Sequence, residues 1–280
     1  MKILRTLAET KRHIDSILSG GATIGFVPTM GALHEGHLTL IRKAKMATDH
    51  VTASIFVNPI QFNNPEDLLK YPREEAADIR KLQDAGCDMV FIPTVDEMYP
   101  VPDTTIFEFG NLDKVMEGKF RPGHFNGVAI VVKKLFEILQ PHQAFFGEKD
   151  YQQLAIIRNM VSQIGLPVRI IPCKTVREPD GLAMSSRNKR LSPEERAMAP
   201  VIYRILRKAK NLREQMTVQQ LTDWAREEFS KHPAFALEYF EIVDADTLQP
   251  VESWENNDRI IACTAARLGN VRLIDNIKFF

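Results

Sequence analysis

Residues 23–37 read Thr23-Ile24-Gly25-Phe26-Val27-Pro28-Thr29-Met30-Gly31-Ala32-Leu33-His34-Glu35-Gly36-His37. The apolar, β-branched run at 23–28 predicts a short buried strand. A glycine-bearing turn follows, and a helix opens near His37. Strand, turn and helix in that order form the unit of a parallel sheet, which binds ligands at the C-terminal ends of its strands. The pattern continues outward. Strand-like runs at 51–57, 89–93, 144–147 and 168–172 alternate with helical patterns at 73–86 and 126–140. A further helix carries Leu154, Ile157, Met160, Val161 and Ile164 on one face. This alternation predicts an α/β, Rossmann-like domain with helices on both faces of a parallel sheet.

From 177 to 193 the chain is polar, with a turn at Pro179-Asp180-Gly181 and basic Arg187, Lys189 and Arg190. Helical stretches at 193–215 and 218–231 follow, then strand-like 236–244, 259–267 and 271–275. Helices followed by strands predict a smaller α+β domain. The expected division is therefore 1–176, the nucleotide-binding domain, and 177–280, the smaller one.

The 280 residues carry a formal charge of +0 at pH 7 and are 44% hydrophobic, in the range of ordinary globular chains. A neutral chain offers no electrostatic footprint for nucleic acid or an anionic membrane. Residues 1–17 are too charged for a signal peptide. The most apolar stretch, 128–139, is interrupted by Lys133, Lys134 and Glu137, so no membrane span is expected. Cys87, Cys173 and Cys263 are far apart and odd in number, which fits neither a disulfide framework nor a CxxC metal site. A reducing, cytoplasmic setting is the reading.

The turn at 28–37 carries the chemistry. Backbone N–H groups and the positive end of the following helix favour a phosphate there. His34 and His37, three residues apart, share a helix face and can donate to phosphate oxygens together. Gly31 and Gly36 leave room for a nucleotide against the backbone. The spacing excludes a Walker A loop, a GxGxxG turn and an HExxH zinc site. Asn58 and Gln61 follow the 51–57 strand at the same sheet edge, where uncharged amides can bind a small hydroxy acid without neutralising its carboxylate. In Gly147-Glu148-Lys149-Asp150, the lysine can offset charge developing on phosphoryl oxygens. Asp150 can meet a ribose hydroxyl or the shell of a metal. Met184-Ser185-Ser186-Arg187 places two hydroxyls and a cation on a loop suited to close over phosphates. Asp78, with Glu74 and Glu75, reads as a solvated acidic helix face, with reach to a magnesium ion as the alternative. Arg121 and His124 stand outside the core site, and the metal ligands stay unassigned.

His34-x-Gly36-His37 after a first strand resembles the HxGH signature of the nucleotidyltransferase superfamily. The longer string 27–37 resembles the pantothenate synthetase (pantoate–β-alanine ligase) family. Further blocks resemble it in order: Ser54-Ile-Phe-Val-Asn-Pro-Ile-Gln-Phe62, Tyr71-Pro-Arg73, Arg121-Pro-Gly-His-Phe125, Phe146-Gly-Glu-Lys-Asp-Tyr-Gln-Gln153, Asp180-Gly-Leu-Ala-Met-Ser-Ser-Arg-Asn188 and Arg272-Leu-Ile-Asp-Asn276. The 184–187 segment also loosely resembles the KMSKS loop of related synthetases, with Ala183 and Ser186 in place of its lysines.

The resemblance implies an AMP-forming ligase of coenzyme A biosynthesis that joins (R)-pantoate to β-alanine through a pantoyl adenylate, with ATP as substrate and Mg²⁺ as cofactor. It implies catalytic roles for His34, His37 and Lys149. ATP contacts would come from 30–37 and 147–150, from the backbone of Val176, and from Met184, Ser185, Ser186 and Arg187. Gln61, Gln153 and Asn58 would bind pantoate and β-alanine. A homodimer with the C-terminal domain as a cover is implied too. Two alternatives share parts of the pattern: a nucleotidyltransferase of the superfamily acting on another small acid, and a nucleotide-binding regulator without turnover.

Overall fold

The computed structural model describes residues 1–255 and 258–280. Among them, six strands form a parallel sheet: β1 (Lys2–Leu4), β2 (Ile24–Thr29), β3 (His50–Ile55), β4 (Met89–Phe91), β5 (Gln143–Gly147) and β6 (Arg169–Cys173). Their order is β1-β4-β3-β2-β5-β6. The helices are α1 (Leu7–Ser19), α2 (Glu35–Lys45), α3 (Pro65–Leu69), α4 (Glu75–Asp84), α5 (Val95–Met98), α6 (Met116–Phe120), α7 (His124–Leu139), α8 (Tyr151–Ile164), α9 (Pro193–Met198), α10 (Val201–Leu212) and α11 (Val218–Ser230). Strands β7 (Phe235–Asp244), β8 (Ile260–Leu268) and β9 (Val271–Lys278) form a separate antiparallel sheet in that order. The α/β class with a smaller α+β part is as the sequence predicts.

Two compact units divide the chain. One holds Met1–Phe109, Arg121–Glu148 and Gln153–Lys174; the other holds Gly110–Phe120, Lys149–Gln152 and Thr175–Phe280. In the first, β2 lies between β3 and β5, where the strand order reverses. That reversal opens a crevice at the strands' C-terminal ends. Adjacent residues of β2 face opposite ways: Val27 joins a buried cluster with Leu40 and Ile41 of α2 and Leu82 of α4. Phe26 packs edge-on to Phe136 of α7, with ring centroids 6.1 Å apart. Both faces are therefore apolar, which explains the unbroken hydrophobic run.

The sequence reading leaves out β1, α1 and the short helices α3, α5 and α6. Residues 1–17 form β1, a three-residue edge strand pairing Lys2 with Met89, and most of α1. So short a strand leaves little periodicity to read. The stretch 193–215 is broken, with α9 and α10 meeting around Pro200, which lacks the N–H a continuous helix needs.

In the second unit, α10 and α11 cover one face of the small sheet, burying Leu206, Leu221, Phe229, Phe240, Ala262 and Leu273 together. The ion network of the unit centres on Arg272. Its two terminal nitrogens lie 2.6 and 2.7 Å from the Glu117 carboxylate, and its Nε donates to Glu238 at 2.7 Å. The Tyr239 hydroxyl donates to Glu117 at 2.9 Å. Removing Glu117 takes an acceptor from both terminal nitrogens of Arg272 and from the Tyr239 hydroxyl, while Glu238 still holds the Arg272 Nε. We expect Glu117→Ala to destabilise the second unit by about 1–3 kcal/mol. Trp224 and Trp254 both lie in this unit, so tryptophan fluorescence during urea unfolding reports it. An unshifted midpoint would contradict the role given to the network.

Candidate active site

The turn after β2 is built from two successive residues in the left-handed region, Gly31 at φ +79° and Ala32 at φ +49°. Alanine rarely holds that conformation, so something must fix it. The Asp78 carboxylate of α4 does so: Oδ2 accepts from Ala32 N at 2.7 Å and Oδ1 from Leu33 N at 2.8 Å. A Cβ on Gly31 would lie 3.1 Å from Asp78 Oδ2. Gly31 is therefore needed for the turn itself, a tighter reason than room for a nucleotide. Lys81, one turn after Asp78, donates to Leu33 O at 2.8 Å. Thr29 Oγ1 accepts from Gly31 N at 3.2 Å and donates to Ser54 O at 2.7 Å. Asp78 is 0% exposed. The expected solvated acidic face is therefore corrected at this residue, whose two oxygens each accept from a backbone amide.

The histidines cap the helix they begin. His34 is the N-cap of α2, and its Nδ1 accepts from Gly36 N at 3.2 Å. His37 Nδ1 accepts from His34 N at 3.3 Å, and the two rings lie 4.0 Å apart. A backbone N–H can only donate, so each Nδ1 is an acceptor and each ring carries its proton on Nε2. The amides of Gly31, Ala32, Leu33, His34 and Gly36 thus all have partners within the protein. This revises the expectation that open amides would hold a phosphate. Each ring has Nε2–H as its donor, at the positive end of α2.

A second group forms where β3 ends. Asn58 and Gln61 are both buried. Asn58 Nδ2 donates to Gly127 O of α7 at 3.0 Å and to Gln61 Oε1 at 3.2 Å. The Tyr99 hydroxyl donates to Asn58 Oδ1 at 2.9 Å. Burial, and then the charge of Asp103, push the Tyr99 phenol above its usual range, so it stays protonated and a donor. Gln61 Nε2 lies 3.1 Å from Met30 Sδ, which brings Gln61 to the 30–37 turn. His124 Nδ1 lies 2.8 Å from the Gln61 backbone carbonyl. A Cβ on Gly127 would come within 2.5 Å of Ile60 O, so only glycine lets α7 pack this close. Sequence reasoning gave Tyr99 and Gly127 no role.

The remaining predicted residues fall in both units. Gly147 ends β5 and Glu148 follows it; Gln153, half-buried, lies in the first turn of α8. Its neighbour Gln152 is buried and ties the backbone at Leu112, Val115 and Glu117. In the second unit Lys149 Nζ is 3.6 Å from Asp150, and the Lys149 carbonyl accepts from Asn276 Nδ2 at 2.9 Å. Val176 O accepts from Met184 N at 3.0 Å, so these two predicted residues are neighbours. Ser185 Oγ accepts from Arg187 N at 3.2 Å, and Ser186 is buried. The base of this segment is pinned by Arg177, bidentate to Asp275 at 2.6 and 2.9 Å and stacked 3.7 Å over Tyr203.

Two charge-assisted bonds to buried amides predict the cost of disturbing the turn. Asp78→Asn keeps one acceptor and sets an amide N–H₂ against a backbone N–H, a loss of about 2–3 kcal/mol. Hydrogen exchange should show the Ala32 and Leu33 amides protected in the native protein and fast in the variant. Equal exchange in both would remove Asp78 from this role.

The pantoate–β-alanine ligase family model matches residues 2–278. The chain is 51% identical over 279 residues to the pantothenate synthetase of Porphyromonas gingivalis W83, covering 100% of this chain and 99% of that protein. It is 49% identical over 279 residues to the Bacteroides thetaiotaomicron pantothenate synthetase, at the same coverage. Among solved structures, the Thermus thermophilus pantothenate synthetase superposes with a TM-score of 0.94 at 43% identity, covering 100% of both chains. A Francisella tularensis pantoate–β-alanine ligase, complexed with beta-gamma ATP and β-alanine, superposes with a TM-score of 0.83 at 38% identity. That match covers 100% of this chain and 98% of the other. The fold, the helix-capping histidine pair and these matches together make the chain a member of the pantoate–β-alanine ligase family.

Proposed function

We propose that the chain carries out its family's reaction with the groups gathered around the start of α2, and that the capping histidines are its phosphate donors. The observation that carries this is the pair of backbone N–H groups on His34 Nδ1 and His37 Nδ1, which leaves Nε2–H as the donor on each ring. A carboxylate is a poor acyl donor, so ATP is consumed to activate it. A pantoate carboxylate oxygen attacks the α-phosphorus, the bond to the β-phosphate bridging oxygen breaks, and pyrophosphate leaves. The β-alanine amine then attacks the acyl carbon, loses a proton, and expels AMP to give pantothenate.

Charge on the transferred phosphoryl oxygens grows in the first step, and preset donors stabilise it without reorganising. His34 and His37 supply two, and Lys149 supplies a cation. ATP is assigned to 30–37 and 147–150, to the Val176 backbone, and to Met184, Ser185, Ser186 and Arg187. Gln61, Gln153 and Asn58 are assigned to pantoate, with Gln61 reaching β-alanine as well. Residues 1–176 are assigned binding of ATP and pantoate, and 177–280 the role of a cover that limits hydrolysis of the adenylate.

Among the described residues no group of three or more His, Cys, Asp and Glu side chains is arranged to hold a metal. Mg²⁺ commonly keeps several waters and sits on substrate phosphates, so this donor set fits a metal carried in by the nucleotide. Bound there it would offset phosphate charge. No helix among the described residues is long and apolar enough to cross a membrane. The three cysteines are buried and free, with burial pushing the Cys87 thiol up to about 12. Inert buried thiols suit a cytoplasmic enzyme. A homodimer rests on the resemblance alone.

The test is exchange of labelled pyrophosphate into ATP with Mg²⁺ and without β-alanine. Exchange that requires pantoate supports a reversible pantoyl adenylate, and exchange with another acid alone would change the substrate. If β-alanine is then added and no AMP forms, the ligase reading falls. His37→Ala should slow adenylate formation more than tenfold, on the order of 1.4 kcal/mol or more. An unchanged rate would take His37 out of the chemistry.

A further inference from the structure

The motif Arg272-Leu-Ile-Asp-Asn276 lies in β9, where alternate residues serve opposite faces of the strand. On one face Leu273 packs in the apolar cluster with Leu206 of α10, and Asp275 takes both terminal nitrogens of Arg177, at 2.6 and 2.9 Å. Asp275 Oδ1 also accepts from Asn276 N at 2.8 Å, and Arg177 donates to Asn276 O at 3.3 Å. The Asn276 backbone is thus held at its N–H and at its C=O. On the other face the buried Asn276 side chain meets Lys149. A backbone carbonyl only accepts, so the amide atom 2.9 Å from Lys149 O is the nitrogen. Two residues on, Lys278 Nζ stands 5.6 Å from the centre of the Tyr151 ring, so this face of β9 backs the segment 149–151.

We propose that Asn276 is a positioning residue for Lys149: its amide fixes the lysine's own peptide carbonyl, and so fixes where the ammonium is presented to the transferred phosphoryl oxygens. This inference rests on the catalytic assignment of Lys149 made above. Lys149 sits in a single short turn, Glu148–Asp150, which has few internal hydrogen bonds to hold its peptide planes. A lysine stem is long and flexible, so placing its ammonium starts with placing its Cα. The Asp150 carboxylate lies 3.6 Å from Lys149 Nζ but is 48% exposed, and an exposed ion pair restrains the stem weakly. Without the Asn276 amide, the Lys149 peptide loses this donor and turns more freely, and the preset geometry on which electrostatic catalysis depends is lost.

The test is a double-mutant cycle on the rate of pantoyl-adenylate formation in a single turnover, with Asn276→Ala, Lys149→Ala and the pair. Asn276→Ala should slow the step by about ten- to a hundredfold, as a small displacement of a reacting group does. KM for pantoate should stay within about twofold, because a transition-state interaction is lost and not ground-state binding. In the Lys149→Ala background, Asn276→Ala should cost nothing further, since a residue that acts through the lysine has no effect once the ammonium is gone. If Asn276→Ala does not fold, Asn276→Leu, which fills the volume without a donor, takes its place in the cycle. A native rate in the folded Asn276 variant overturns the proposal. An equal fold-loss in both backgrounds overturns it too, since that marks a general structural role. Lys149→Ala with the native rate would instead remove the underlying assignment.

Discussion

A single buried carboxylate sets up the candidate site. Asp78 accepts from the amides of Ala32 and Leu33 and so holds two consecutive residues at positive φ. Alanine pays a steric penalty there, and a pair of charge-assisted bonds in a dry environment outweighs it. The turn so formed directs the chain from the buried strand β2 into α2 and puts His34 at the N-cap. Shared packing of α2 and α4 in one apolar cluster, through Leu40, Ile41 and Leu82, keeps the carboxylate at its amides.

Successive amides in such a turn form a nest that ordinarily attracts an external anion. Here an internal carboxylate fills it. In the proposed reaction anion recognition falls to the imidazoles, whose Nδ1 atoms accept from backbone N–H groups and whose donors are Nε2–H. A neutral donor stabilises growing phosphate charge without requiring a buried cation when the site is empty. The same logic recurs at the end of β3, where the Gly127 carbonyl fixes the Asn58 amide and, through it, Gln61. At both places an atom of fixed hydrogen-bond character determines the orientation of a side chain that could otherwise take two states.

Much of this was legible in the chain. The doubly apolar run at β2 announced a parallel sheet, and the HxGH spacing placed both rings at one helix start. What was missed depends on contacts between distant residues. Asp78 lies 45 residues beyond Leu33, and next to Glu74 and Glu75 it reads as solvent-facing. A signal was present, since Asp78 is one turn from Leu82 and shares its face, and Leu82 is fully buried. Gly127 and Tyr99 carry no motif: the role of the first follows from the close approach of Ile60, and that of the second from a bond across 41 positions. Gln152 and Gln153 are alike in sequence, and only the fold separates the buried backbone clamp from its half-buried neighbour.

The central claim is that the folded turn sets both imidazoles as Nε2–H donors before any nucleotide arrives. The direct measurement is the tautomer of each ring, read from nitrogen shifts of protein labelled with ¹⁵N-histidine. The chain has 7 histidines, so single His→Gln variants assign the signals. At neutral pH, His34 and His37 should each show a protonated Nε2 and a bare Nδ1. A proton on Nδ1 of either ring would contradict the capping geometry and the donor role built on it.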